Sequence, residues 1–154
     1  MEEKLIKAMA DANERLQSQG TKVQGGKQYL MVVHRITIFR ETFGLDLGIR
    51  TEVIHQCDER VSIKATIEDV DGFVLGSGLA EEIRANGNIN STSCMENAET
   101  SAIGRALASI GLHGGEYPSG DELITALDQQ GKKQTPKAQR KERAKNADGS
   151  TSWD

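Results

Sequence analysis

The pattern of hydrophobic and polar residues changes its period along this chain of 154 residues. Between residues 47 and 83, apolar side chains alternate with polar ones, which is the period-two pattern of half-buried β-strands. On both sides of that stretch, apolar side chains recur every three or four residues, as on one face of an α-helix. The order of these patterns predicts an α+β domain in which an antiparallel sheet packs against a long helix.

Three antiparallel strands are predicted inside the alternating stretch, over residues 47–57, 60–70 and 73–83. Asp71-Gly72 separates the second strand from the third and is typical of a tight hairpin, because glycine accepts the positive φ angle of such turns. The alternation is clearest in the second strand, where the apolar positions are Val61, Ile63, Ala65 and Ile67. The strands therefore form a meander with one apolar face.

Two glycines, Gly76 and Gly78, interrupt the third strand. A position without a side chain allows a backbone or a ligand to approach closely, and it is equally typical of a bulge or a bend. The residues alone favour neither interpretation.

A long helix is predicted from Ser93 to Gly111. Ser93 can cap the first turn, with Glu96 completing a capping box, and Gly111 suits the left-handed conformation that ends a helix. The apolar face consists of Met95, Ala98, Ala102, Ile103, Ala106, Leu107 and Ile110. The opposite face is nearly bare around Gly104 and Arg105, so a nucleic-acid backbone can approach closely and meet the guanidinium. An ordinary solvated face is the alternative interpretation.

The segments before the sheet show a mixed pattern. Residues 2–18 carry an apolar stripe at helical spacing and predict an amphipathic helix that ends at Gly20. Residues 29–33 form a short apolar run and predict a strand. Residues 34–44 fit a helix by the spacing of their apolar side chains and a strand by their β-branched residues, and we favour the helix because Gly44 is suited to end it.

The last part of the chain differs from the rest in charge. Residues 85–92 predict a loop and residues 121–130 a short final helix. Residues 131–154 carry seven basic and three acidic side chains without an apolar pattern, which predicts a disordered basic tail. Residues 1–130 form the predicted folded domain, with 12 basic and 20 acidic side chains and a net charge of −8. Nucleic acid would therefore be bound by a local basic groove, by the tail, or by a groove assembled from many copies.

Catalytic and metal-binding groups are sparse, which argues against an enzyme. The histidines lack metal-ligand spacing, and no nucleotide-binding or catalytic motif occurs. The carboxylates of Glu81, Glu82, Asp69 and Asp71 are candidate Mg²⁺ ligands, although solvated charges at turns and strand ends are the simpler interpretation. We therefore expect no metal site and no cofactor. The histidines are His34, His55 and His113.

The cysteine content and the N-terminal residues bear on location. Cys57 and Cys94 do not have the spacing of a metal pair, and they predict reduced thiols. The acidic, amphipathic N-terminus does not resemble a secretory signal, and no apolar run is long enough for a membrane helix. These features predict a cytoplasmic protein.

Several basic residues lie on separate predicted elements and are candidates for contacts with nucleic acid. If they converge, they form a narrow positive track that holds a nucleic-acid backbone without reading its sequence. Aromatic residues make up only 4% of the chain, and the phenylalanines are predicted to lie in the core, so base stacking is not expected. The candidate residues are Arg35, Arg50, Lys64 and Arg105, with Lys27 in the loop before the first strand and Gly104 beside Arg105.

Three stretches of the chain resemble a known family. The sequence HRI at 34–36, followed by FG at 43–44, is similar to an HRV…FG stretch. The strand pair within 61–79 and the helix sequence AETSAIGRALASIG at 98–111 resemble further family patterns. In this order, over about residues 28–112, they are similar to the ring-forming single-strand DNA annealing proteins of the Rad-fifty-two-type superfamily, including phage members.

The resemblance implies a DNA groove around the outside of an oligomeric ring. Arg35 and Arg105 match family positions that line this groove, and Lys64 matches a basic strand position. Gly104 and Ala108 depart from the pattern, because better-known members have basic residues there, which implies weaker DNA binding or a contribution from the tail. The family uses no metal or nucleotide cofactor and has no hydrolytic activity.

The resulting hypothesis is a non-enzymatic homo-oligomer that forms a ring or filament. It would bind single-stranded DNA by the backbone and anneal complementary strands in homologous recombination and repair. A single-strand DNA-binding protein or a recombination exonuclease would be its partner, in the cytoplasm of a bacterial host if the chain is phage-encoded. Two alternatives remain open: a passive single-strand DNA-binding protein, and a small Mg²⁺-dependent enzyme acting on nucleotides.

Overall fold

A computed structural model describes residues 1–23, 26–84 and 87–115, with the side chains of all but residues 87–92. The described part confirms the predicted α+β class. The predicted final helix and basic tail lie outside it, so the boundary between 1–130 and 131–154 stays a prediction. The elements are α1 (Glu2–Gln19), β1 (Thr21–Lys22), β2 (Gln28–Tyr29), α2 (Val32–Phe43), β3 (Leu47–Gln56), β4 (Arg60–Asp69), β5 (Val74–Ile83) and α3 (Gly87–Ser109).

The three long strands form one antiparallel sheet in the order β3-β4-β5. In the central strand, Ile63 pairs with Val53 of β3 and with Ala80 of β5, so apolar residues of all three strands share the face toward α3. We call this face the inner face and the opposite one the outer face. The predicted meander is confirmed, with register shifts between Val53 and His55 and beside Ile67.

The close packing of α3 on β5 depends on Gly76 and Gly78. A Cβ atom at Gly78 would clash with the backbone of α3 at Ala102 and Ala106, and one at Gly76 would lie 2.6 Å from Cγ2 of Ile110. Both positions therefore allow a helix backbone to approach, which is one of the two interpretations that the sequence left open.

The helix α3 begins earlier than predicted and ends as predicted. It starts at Gly87, inside the predicted loop, and its backbone leaves helical geometry at Ser93 (φ −122°, ψ 25°), the predicted cap. Gly111 has a φ of +95°, and the N–H of Leu112 donates to the carbonyl of Leu107 at 2.9 Å. This hydrogen bond and the positive φ are those of a Schellman motif.

The region before the sheet is helical where the pattern was ambiguous. α2 occupies Val32–Phe43, which confirms the helix over the strand, and Gly44 follows it with a φ of +55°. The strand predicted over 29–33 is wrong beyond Tyr29, because α2 begins at Val32. β2 is only two residues long and pairs with β1, which has the same length.

One core joins the sheet to all three helices. α1 contributes Ala8 and Ala12, α2 contributes Phe39 and Phe43 with ring centroids 5.3 Å apart, and α3 contributes mainly alanines. Small residues on α1 and α3 allow both helices to lie close to their neighbours, and most of the large buried side chains come from α2 and the strands.

Candidate nucleic-acid interface

The structure places Arg35 in the interior, where it is only 3% exposed. Its Nη1 atom donates to the carbonyl oxygens of Gly104 (3.0 Å) and Leu112 (3.4 Å), and its Nη2 atom donates to the hydroxyl of Tyr29 (2.7 Å). Carbonyls near the C-terminal end of a helix carry partial negative charge, which stabilises the buried cation. Arg35 therefore joins α2 to the end of α3, and its burial is at odds with the predicted contact to phosphate.

Gly104 is also buried, against α2. A Cβ atom there would lie 3.0 Å from Cγ2 of Val32 and 3.1 Å from Nη2 of Arg35. The face of α3 that we predicted to be bare for a large partner is therefore covered at this position by the chain itself. Glycine is needed here for helix packing, and Gly104 does not contribute to an open interface.

Arg50 and Lys64 lie on the outer face of the sheet and are exposed. They belong to neighbouring strands, as predicted, since Arg50 pairs with Thr66 and Lys64 pairs with Glu52. The guanidinium of Arg50 also contacts the carboxylate of Glu68 at 3.2 Å. The two cations are thus close together, but acidic side chains accompany both of them.

Arg105 lies on the other side of the sheet, on α3. It is exposed, and its Cβ atom is close to Gly78 of the edge strand β5. Glu99, six residues earlier, accepts a hydrogen bond from Thr51 of β3 (2.7 Å) and therefore marks the opposite flank of α3. Since Arg105 and Lys64 are separated by the sheet, one copy of the chain does not bring the predicted cations into a single groove.

Lys27 lies in the hairpin between β1 and β2 and is exposed. Lys64 on the sheet and Arg105 on α3 differ from Arg50 and Arg60, because neither makes an ion pair with a residue in the described ranges. Lys64 and Arg105 are thus exposed candidates whose charge is not offset by an ion pair to a described carboxylate.

The main feature that sequence reasoning missed is the acidic content of the outer face. Glu81 accepts a hydrogen bond from Ser62 at 2.8 Å and lies 3.4 Å from Arg60. Glu52, Glu68 and Glu81 balance the outer-face cations Arg50, Arg60 and Lys64 in number. The alternation in the first two strands implies a polar-face position for Glu52 and Glu68, and counting these two with the cations would have revealed most of the balance.

Phe73 corrects the prediction that all phenylalanines are in the core. It follows the β4–β5 turn and is 69% exposed. The turn itself is as predicted, with Gly72 at a φ of +82°, and Asp69 accepts hydrogen bonds from the N–H groups of Asp71 and Phe73.

Two groups with shifted pKa values lie on or next to α1. Lys4 donates to Asp46 at 2.6 Å and lowers the pKa of that carboxyl group. Hydrogen bonds from Arg15 to Asp11 and Glu41 raise the pKa of the guanidinium. These interactions attach α1 to the start of β3 and to α2.

The described residues offer neither a metal-ligand cluster nor a membrane-spanning helix. They contain no cluster of three or more histidine, cysteine, aspartate or glutamate side chains that would hold a metal ion. No described helix has the length and apolar character needed to cross a membrane.

Residues 36–110 match the family model described as Slr1353 N-terminal dsRNA-binding domain-like. This range starts in α2, contains β3, β4 and β5, and ends directly after α3. The match corrects the resemblance drawn from the HRI, strand-pair and helix motifs, because the family found is not one of single-strand annealing proteins. No curated protein and no solved structure matches the chain.

Proposed function

We propose that this chain binds nucleic acid through the sugar–phosphate backbone, with double-stranded RNA as the first ligand class. The observation that carries the proposal is the match of residues 36–110 to a dsRNA-binding domain-like family, because this range spans most of α2 and the whole of β3, β4, β5 and α3. Double-stranded RNA is recognised mainly by shape and by contacts to phosphates and 2′-hydroxyl groups, so base-reading side chains are not required.

The charge distribution determines where binding energy can come from. Residues 36–110 carry six basic and twelve acidic side chains, so the average field of this unit repels a polyanion. Contacts must therefore come from local cations such as Lys64 and Arg105, which are exposed, and from the seven basic residues of 131–154. Binding that rests on phosphate contacts weakens steeply as salt is added.

The aromatic residues support a backbone mode of binding. Phe39 and Phe43 are buried in the core, and Tyr29 lies beneath the guanidinium of Arg35 at 5.4 Å from its ring centroid. Phe73 is exposed, but it lies at a turn and not within a row of aromatic side chains. A platform on which successive bases stack is therefore absent from the described part of the sheet.

The experiment is a fluorescence-anisotropy titration of the full chain with a labelled 20-base-pair RNA duplex, at low and high salt. We expect salt-sensitive binding that is weakened by Lys64→Glu and by Arg105→Glu. Lys7→Glu on α1 is the matched control, because it makes the same charge change outside the matched residues. Failure of the duplex to bind at low salt, or equal weakening by all three variants, would contradict the proposal.

Single-stranded DNA is the second ligand class, because contacts to phosphates without base stacking do not by themselves select a duplex. The same titration with a DNA strand of matched sequence ranks the two classes. Annealing of that strand to its labelled complement then separates active strand pairing from passive binding. Preference for the single strand together with faster annealing would favour the finer prediction made from the sequence.

A further inference from the structure

The two edges of the sheet are covered to different extents. α3 lies over β5 and β4 and reaches β3 through the hydrogen bond between Thr51 and Glu99. As a result, Val53 on the inner face is 46% exposed, and Ile54 at the adjacent register shift is 51% exposed. Among the described residues, no strand pairs with the outer edge of β3. β3 is therefore a ten-residue edge strand with apolar side chains and unpaired backbone groups.

We propose that β3 is an interface for a second copy of this chain, which pairs with it as an antiparallel strand about a two-fold axis at Thr51. In this register, Thr51 faces Thr51 of the partner subunit, and Ile49 faces Val53 of the partner subunit. Arg50 faces Glu52 of the partner subunit, and the symmetry repeats each contact. Aliphatic, threonine and opposite-charge pairs are those that stabilise neighbouring antiparallel strands.

Charge complementarity is the observation that selects a second copy as the occupant. Arg50 and Glu52 lie on the outer face, two residues apart, on either side of the position through which the axis passes. Within one copy, Glu52 is opposite Lys64, and Arg50 contacts Glu68. Pairing two copies extends these into a row of alternating charges across four strands, β3 and β4 of each copy. A two-fold axis makes such a contact self-complementary and closes the assembly at two copies.

The opposite edge is less suited to the same pairing. α3 packs directly over β5 at Gly76 and Gly78, and the exposed side chain of Arg105 lies beside this edge. A second copy at β5 would bring two α3 helices and two arginines together. Helices normally pack 8–10 Å apart, which is wider than the ~4.8 Å spacing of paired strands. At β3 the obstacle is smaller, because α3 reaches this strand through the side chain of Glu99 at Thr51 and leaves Val53 half-exposed.

Charge reversal tests the register directly. The full chain is examined by analytical ultracentrifugation over a range of concentrations, and we expect a dimer. Arg50→Glu or Glu52→Arg places like charges opposite each other twice, so each variant should raise the dimer dissociation constant about tenfold or more. The double variant with both changes restores opposite charges across the axis and should restore the dimer, which a structural role within one copy would not explain.

Crosslinking gives a second readout that does not depend on charge. Thr51→Cys in a Cys57→Ser background places two thiols opposite each other at the axis, and oxidation should yield a covalent dimer. Ser77→Cys on β5, in the same background, is the control and should not crosslink. A monomer at all concentrations, a larger assembly, crosslinking only through β5, or a double variant as weak as the single ones would each overturn the proposal.

Discussion

The two faces of the sheet differ in how much freedom they leave to the sequence. On the inner face, α3 lies so close to β5 that the positions beneath it have no room for a side chain. On the outer face, cations alternate with carboxylates and most of these side chains are exposed. A Cβ atom added at Gly48 would have only one other atom within 4 Å. The inner face therefore determines whether the chain folds, and the outer face is available for binding.

The largest effect expected from this comparison is that of Gly78→Val. The added side chain meets the backbone of α3, which cannot move aside as a flexible side chain would, so we expect a loss of about 3 kcal/mol in the free energy of unfolding. Guanidinium denaturation with circular dichroism measures it. Gly48→Val places the same side chain on the outer face of β3 and should leave stability unchanged or raise it slightly. Equal losses at the two positions would refute the distinction between the faces.

A somewhat smaller effect is expected for Arg35→Leu. The substitution removes the donor to the Gly104 and Leu112 carbonyls and to the Tyr29 hydroxyl, and buried polar atoms left without a partner cost about 1–3 kcal/mol. Thermal unfolding should show this loss, whereas Arg60→Leu, which changes an exposed arginine on the outer face, should change the midpoint little. If Arg35→Leu instead abolished nucleic-acid binding at wild-type stability, the buried assignment would be wrong.

Lys64→Glu on the outer face should weaken binding and leave stability nearly unchanged, which is the reverse of the effect expected for Arg35→Leu. Surface substitutions away from packed contacts usually change stability by less than about 0.5 kcal/mol. The same change should weaken the binding of the RNA duplex, and the salt dependence of binding should become shallower because a phosphate contact is lost. Loss of binding accompanied by a large loss of stability would place Lys64 among the structural residues instead.

The smallest effect concerns the ion pair between Lys4 and Asp46. The pKa of Asp46 is lowered in the folded chain, so its contribution to stability is present above its ordinary pKa of 3.8 and disappears as the pH falls through the lower, folded-state value. Asp46→Asn should therefore slightly lower the melting temperature at pH 7 and not at pH 2. A difference that persists at pH 2 would show that the charge is not its cause.

The fold could be predicted because local patterns agree with it. The alternation in β4, the Asp71-Gly72 turn and the stop at Gly111 each specify structure through neighbouring residues alone. The strand predicted over 29–33 failed because an apolar run has no period, and α2 begins there instead.

The candidate site was less predictable because it depends on contacts between distant residues. Arg35 bonds to carbonyls 69 and 77 residues further along, so nothing near it in sequence signals that a cation is buried. The match to a dsRNA-binding domain-like family also shows that motif similarity in α2 and α3 was not specific enough to identify the family. The prediction that Arg50 and Lys64 lie on adjacent strands is confirmed, because the alternation and the hairpin turn that determine it are local properties of the sequence.

The segment that follows α3 has a consequence for how this domain can be divided. The N–H of Leu30 donates to the carbonyl of Gly114 at 2.8 Å, and Leu112 supplies one of the acceptors of Arg35. A polypeptide trimmed to the matched range 36–110 would lack Leu30, Leu112 and Gly114, and it would also lack Arg35. We therefore expect a stably folded fragment to extend at least from Tyr29 to Gly114, beyond the matched range at each end.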